Sequence, residues 1–181
     1  MNQDIERILY SEEALSSRVR ELGEAISRDF EGKNPVIVGI LKGSFVFMAD
    51  LIRSIVIPCT LDFMAVSSYG GKSVTTGAVT ITKDLTESLE DRDVVIVEDI
   101  LDSGVTLSYL IGYMEMHKPA SISIVTLFDK PARRQREVYP RYTGFTIEDE
   151  FIVGYGLDYA EQYRNLPYVG VLKREIYETT E

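Results

Sequence analysis

A chain of 181 residues is long enough for one well-buried core and short for two, and 45% hydrophobic with 27% charged residues is a globular profile, so a single domain, 1–181, is expected. The 29 acidic and 19 basic side chains give a formal charge of −10, which argues against nucleic-acid and membrane-surface partners, since both select a basic field. One cysteine, Cys59, and one histidine, His117, exclude an internal disulfide and a multi-histidine metal site, leaving carboxylates, lysines, hydroxyls, backbone amides and a hard metal ion to carry any chemistry.

The first residues, Met1 to Glu6, have no basic or apolar stretch of the secretory kind, and no apolar run approaches the ~20 residues of a membrane helix. A cytoplasmic protein is expected. Ser11, with Glu12 and Glu13 after it, reads as a helix start, and Leu15, Val19, Leu22 and Ile26 then fall on one face of a helix over about 12–30. Val36 to Leu41 is apolar without alternation, as in a central parallel strand buried on both faces. Lys42-Gly43 breaks it, and Ser44 is placed to cap a helix carrying Phe45, Met48, Leu51, Ile52 and Ile55.

A strand is expected near 61–66, then a Ser-, Gly- and Thr-rich loop over 67–77 and a strand-like return at 78–82, together a hairpin or flap. Gly71-Lys72-Ser73 resembles the end of a P-loop, but Val66 stands where the first glycine is required. Val94 to Val97 is a second strongly apolar strand, followed by a helix over about 103–117 and a strand at 122–127. Short strands at 143–147, 151–153 and 168–172 close the chain. Strands alternating with helices give an α/β fold with a mostly parallel central sheet flanked by helices. In such a sheet the ligand lies at the carboxyl ends of the strands, here after Leu41, Val97 and Leu127.

After Val97 the chain reads Glu98-Asp99-Ile100-Leu101-Asp102-Ser103-Gly104-Val105-Thr106. Gly104 permits a tight turn, and the Ser103 and Thr106 hydroxyls join the free amides of a helix start to form an anion cradle. Carboxylates directly before such a cradle would repel a bare phosphate; they suit Mg²⁺, or the hydroxyls of a sugar bearing that phosphate. The alternative is a plain helix cap at Asp102-Ser103 with Glu98 and Asp99 as solvated charges.

This segment closely resembles the phosphoribosyl-pyrophosphate loop of type I phosphoribosyltransferases, and the wider pattern resembles the hypoxanthine-guanine branch of that family. Leu41-Lys42-Gly43-Ser44 looks like its pyrophosphate turn, and Ser68-Tyr69 like its lid dipeptide within a flexible segment over about 67–84. Lys130 sits where the family places its purine-oxygen ligand. Glu150 to Tyr159, followed by Arg164, resembles its base-binding hood, which is expected from about 143–181 on a core of about 10–130. Val105 departs from relatives that carry lysine there, losing one cation but keeping the amides.

The resemblance implies transfer of a phosphoribosyl group from phosphoribosyl pyrophosphate to hypoxanthine or guanine, with Mg²⁺ as cofactor, in a homodimer or homotetramer. It implies Asp102 as proton acceptor; Lys42, Gly43 and Arg164 on pyrophosphate; and Glu98, Asp99 and 102–106 (Asp102, Ser103, Gly104, Val105, Thr106) on the sugar and its phosphate. It implies Lys130, Phe151, Ile152 and Asp158 on the purine, with Glu98, Asp99 and Asp158 toward the metal. Two rivals remain: a transferase for another base, and a regulator that keeps the fold for nucleotide sensing.

Overall fold

The computed structural model describes residues 1–68 and 79–178. Among the described residues nine strands and four α-helices occur in the order β1(Ile5–Tyr10), α1(Glu12–Asp29), β2(Val36–Leu41), α2(Phe45–Ser54), β3(Thr60–Ser68), β4(Val79–Lys83), β5(Asp93–Leu101), α3(Val105–Glu115), β6(Ser121–Asp129), β7(Tyr142–Thr146), β8(Ile152–Val153), β9(Val169–Leu172) and α4(Arg174–Tyr177). The larger sheet runs β4-β3-β2-β5-β6-β7, parallel throughout except for the antiparallel β3–β4 pair. The hairpin geometry read from the sequence is therefore present at its base, while Tyr69 and Gly71-Lys72-Ser73 lie outside the described residues.

Two apolar layers explain why β2 and β5 carry so few polar residues. Successive side chains on a strand face opposite ways. Ile37, Val95 and Val97 pack with Leu15, Leu22 and Ile26 of α1 and Phe47 and Leu51 of α2. Val36, Val38, Ile40, Val94 and Ile96 pack with Leu107, Leu110 and Met114 of α3. Ser11 caps α1, its hydroxyl accepting from the Ala14 amide at 3.3 Å, a device worth about 1 kcal/mol.

Some sequence expectations shift. Ser44 precedes α2, but its hydroxyl donates to the Ile40 carbonyl at 2.6 Å instead of capping. Its backbone is already helical (φ −72°, ψ −7°), which turns the side chain back along the chain and away from the amides ahead. Strand β5 runs to Leu101, so Glu98, in register with Thr126 of β6, and Asp99 lie within the strand and do not leave it. Gly104 (φ +77°), not Ser103, is the residue that enters α3.

A smaller antiparallel sheet, β1-β9-β8, joins the apolar layer on the α1 and α2 side of the larger one through Ile152, Val169 and Val171. It draws on both ends of the chain, since Ile5, Arg7, Ile8 and Tyr10 pair with β9, whereas β7 at 142–146 extends the larger sheet instead. Strand order reverses between β2 and β5: β3 follows on one side of β2, β6 on the far side of β5. The carboxyl ends of β2 and β5 therefore diverge into a crevice, the place where such sheets receive ligands.

Candidate functional site

The crevice is a cavity of about 200 Å³, lined by Ile40, Leu41 and Gly43 at the end of β2 and by 98–104, Thr106 and Leu107 after β5. Gly43 is fixed by close approach, because a Cβ there would overlap the Asp99 carboxylate. The Leu41–Lys42 peptide beside it is cis. Asp99 is buried and Glu98 is half-buried. Burial pushes the Glu98 carboxyl well above the usual carboxylate range, and the neighbouring Asp99 charge adds to it. Burial pushes Asp99 up as well, against the pull of its hydrogen bonds and of Arg164. Such a pair gains from a cation or from sugar hydroxyls brought against it.

Oxygen donors of this kind suit a magnesium ion that keeps most of its shell from water and substrate. Among the described residues no three His, Cys, Asp or Glu side chains converge as a metal-holding group. The pair therefore fits Mg²⁺ as an ion delivered with a phosphate-bearing ligand, not as a resident held by protein alone. Asp158, expected toward a metal, lies apart from the pair: it accepts from Arg164 at 2.8 Å and from the Glu161 amide at 3.0 Å.

Asp102 and Ser103 stand at the lip of the cavity, and Gly104, Val105 and Thr106 lead into α3. Asp102 Oδ2 is 3.4 Å from the Arg133 guanidinium, while its Oδ1 is buried without a hydrogen-bond partner. A buried carboxylate oxygen without a donor is costly, and its occurrence at a cavity lip marks a place where a ligand donor belongs. The Val105 amide donates weakly to the Ser103 hydroxyl at 3.4 Å.

Two further groups of side chains border this centre. Lys42 pairs with Glu161 at 3.0 Å, and Arg164 reaches Asp158 at 2.8 Å and Glu161 at 3.6 Å, so the two cations share one carboxylate. Arg164 also donates to the Gly156 carbonyl at 2.8 Å and forms part of the wall of an adjoining 540 Å³ cleft between α1, α2 and the chain after β8. On the other side, Lys130 is 6% exposed and donates to the Glu150 carbonyl at 2.5 Å, with Asp149 at 3.8 Å. Burial lowers the Lys130 ammonium below the ordinary lysine value, against the attraction of Asp102 and Asp149. Phe151 is partly exposed and stacks on Tyr177, centroids 4.6 Å apart, with Tyr159 edge-on at 5.5 Å. Ile152 beside it is buried in β8. Ser68 closes β3.

Sequence reasoning did not single out Arg133, Arg134, Asp149 or Glu161. The first three surround Asp102 or Lys130, and the basic run 133–136, close after Lys130, was the available signal.

A parallel sheet with a buried acidic pair and an open amide turn at its carboxyl edge defines an α/β protein of the class that receives phosphorylated ligands. A family model described as phosphoribosyl transferase domain matches residues 7–160. The chain belongs to the phosphoribosyltransferase family, and its fold is the type I phosphoribosyltransferase fold. It is 51% identical over 179 residues to a hypoxanthine-guanine phosphoribosyltransferase of Bacillus subtilis, covering 99% of each chain. It is 52% identical over 177 residues to the bifunctional protein TilS/HprT of Listeria monocytogenes, covering 98% of this chain but only 27% of that one. A crystal structure of a hypoxanthine phosphoribosyltransferase from Staphylococcus aureus superposes with a TM-score of 0.95 at 49% identity, over 99% of this chain and 97% of that chain.

Proposed function

We propose that the chain is a purine-salvage pentosyltransferase that moves the 5-phosphoribosyl group of phosphoribosyl pyrophosphate to hypoxanthine or guanine. IMP or GMP and pyrophosphate are the products. The observation that carries the reading is the partnerless, buried Oδ1 of Asp102, at the cavity after β5 and near enough to Lys130 for its charge to act on that ammonium.

In the reaction the C1′–oxygen bond to pyrophosphate breaks and a C1′–nitrogen bond to the purine forms, while the displaced ring proton passes to Asp102. The amides and hydroxyls of 103–106 would grip the 5′-phosphate. Glu98 and Asp99 would hold the ribose hydroxyls and, with substrate oxygens, Mg²⁺. When bound, that ion would neutralise charge on the departing pyrophosphate. Lys42, the Gly43 backbone and Arg164 would bind the same group, with Glu161 released from the two cations as it arrives.

Lys130 would donate to the purine 6-oxo group; a lysine ammonium has three donors, and Glu150 takes one. Phe151, one face already on Tyr177, would offer the other to the purine ring. Ile152 and Asp158 would read the purine edge through backbone groups, and Asp158 would also face a second Mg²⁺. Ser68 and Tyr69 would belong to a lid that covers the reacting atoms. A cytoplasmic homo-oligomer, dimer or tetramer, completes the proposal; among the described residues no helix is long and apolar enough to cross a membrane.

The test mixes protein, Mg²⁺, phosphoribosyl pyrophosphate and hypoxanthine and follows IMP by ultraviolet absorbance. Steady IMP formation that stops without Mg²⁺ supports the reading. No IMP or GMP from either base, with protein shown to be folded, rejects it.

A further inference from the structure

Behind the anion turn, on the side away from the cavity, lies the segment 131–136 that follows Lys130. The carbonyls of the turn point back onto it. The Asp102 carbonyl accepts from Arg134 Nε at 3.0 Å, and the Leu101 carbonyl lies 3.5 Å from Arg134 Nη2. The Ser103 carbonyl accepts from the backbone amides of Gln135 at 2.8 Å and Arg136 at 3.2 Å. The peptides of the turn are trans. In a planar trans peptide the N–H points opposite to the C=O. With the carbonyls of Asp102 and Ser103 drawn backward, the amides of Ser103 and Gly104 project forward, into the cavity that residues 98–104 line. A run of amides aimed one way through a left-handed glycine is an anion nest.

Arg134 is itself held firmly. Its guanidinium pairs with Asp129 at the end of β6 and donates to the Val138 carbonyl, and its side chain is 14% exposed. Asp129 is the register partner of Leu101, so the guanidinium ties the ends of two neighbouring strands to the turn. Contact is direct: a Cβ on Gly104 would stand 3.2 Å from Arg134 Cδ. These acceptors, a side-chain carboxylate and backbone carbonyls at fixed positions, suit the rigid fork of five donors that arginine presents. A lysine offers a point charge on a flexible stem and cannot hold them together.

We infer that Arg134 is a positioning residue for the 5′-phosphate: it never touches the ligand, but by drawing the Asp102 carbonyl backward it aims the amides of the turn. The inference rests on the proposed function for the identity of the anion. It adds a residue, and a second layer of structure, that the reading of the turn alone does not contain.

The test compares GMP with guanosine, which differ only in the phosphate, by calorimetric titration of wild type and R134K. The GMP-to-guanosine affinity ratio should fall about tenfold or more in R134K, with the KM for phosphoribosyl pyrophosphate rising in parallel. D129N, which frees the guanidinium, should move the ratio the same way by a smaller factor. In amide NMR spectra the Ser103 and Gly104 signals of ligand-free R134K should move from their wild-type positions. An Arg134 that only stabilised the fold would lower Tm and weaken both ligands alike. A ratio within twofold of wild type in folded R134K overturns the inference, and D129N decides by the same criterion if R134K does not fold. Wild-type protein that binds no GMP and makes no IMP fails the functional reading instead, a result that is distinct from an unchanged ratio in an active enzyme.

Discussion

Arg133 bridges two carboxylates near Lys130: its Nη1 is 3.4 Å from Asp102 Oδ2 and its Nε 3.0 Å from Asp149 Oδ1. The pair with Asp102 is half exposed on both sides, 53% and 39%, and pairs of that kind contribute at most about 1 kcal/mol. Asp102 Oδ1, by contrast, is buried and has no donor. The two oxygens of one side chain thus stand in different surroundings, one screened by solvent and one buried without a partner.

That contrast sets the scale of two substitutions. D102A should fold normally and lose about 10²–10⁴-fold in kcat, the usual range for removal of a positioned proton acceptor. R133Q should change kcat/KM for hypoxanthine by less than about fivefold, as expected from a screened contact. Steady-state IMP formation by the three proteins measures both. Near-wild-type kcat in D102A would remove Asp102 from the chemistry.

Gly43 lies between the turn after β2 and the acidic pair. A Cβ at this position has no room beside the Asp99 carboxylate, and a Cβ at Gly156 would in turn overlap the Gly43 carbonyl. G43A must therefore displace either Asp99 or the turn, an overpacking that costs about 1–3 kcal/mol. Thermal unfolding should register a drop in Tm of roughly 2–9 °C at that cost for a chain of this size. The KM for phosphoribosyl pyrophosphate should rise as well, because the turn and the pair both border its proposed site. Unchanged Tm and unchanged KM together would show that the backbone there has slack the structure does not suggest.

Asp62 on β3 is a buried carboxylate whose work is structural. Burial alone would raise its carboxyl; the amides of Thr86, Phe63 and Glu87, at 2.6, 2.8 and 3.2 Å, and the Lys83 ammonium, at 3.3 Å, more than reverse this and hold it below the ordinary value. A carboxyl depressed in the folded state stabilises above its unfolded value, near 3.9, and that contribution disappears as pH falls through the folded value. Wild type should accordingly exceed D62N in Tm at pH 7, and the gap should narrow progressively as pH falls below about 5. A gap that stayed constant across that range would mean the charge on Asp62 does not matter.

Local patterns made most of the larger sheet legible. The unalternating runs at Val36–Leu41 and Val94–Val97 are apolar on both faces because α1 and α2 cover one and α3 the other. Strand β1 was invisible for an equally physical reason: Ile5 to Tyr10 pairs with β9, more than 150 residues away, and no local periodicity records a distant partner. The extension of β5 through Glu98 and Asp99 was hidden too, since two acids look like a strand end when the strand that pairs with them is unseen. The turn residues could be found from their order along the chain. For Arg134 the basic run 133–136 marks a cluster of charge, but the contacts its guanidinium makes with the Asp102 and Leu101 carbonyls have no signature in side-chain sequence.

In the proposed reaction Lys130 would carry the specificity, and its surroundings set how strongly. Its ammonium is buried, with one hydrogen bond to the Glu150 carbonyl and the carboxylates of Asp149 and Asp102 nearby. A 6-oxopurine presents an acceptor to the remaining donors, whereas adenine presents an amine, so a donor would face a donor. Sites built on such a polar contact discriminate by about 10⁴-fold, because the wrong ligand leaves a buried polar group unpaired. K130A removes the donor and with it the penalty against adenine. The expected outcome is a kcat/KM for hypoxanthine and guanine reduced about 10–100-fold, with the preference over adenine eroded by a larger factor than either. Competition between hypoxanthine and adenine for phosphoribosyl pyrophosphate, read as IMP against AMP, measures the ratio directly. If K130A retained the wild-type preference, discrimination would have to reside in the backbone around Ile152, whose amide and carbonyl do not change with the substitution.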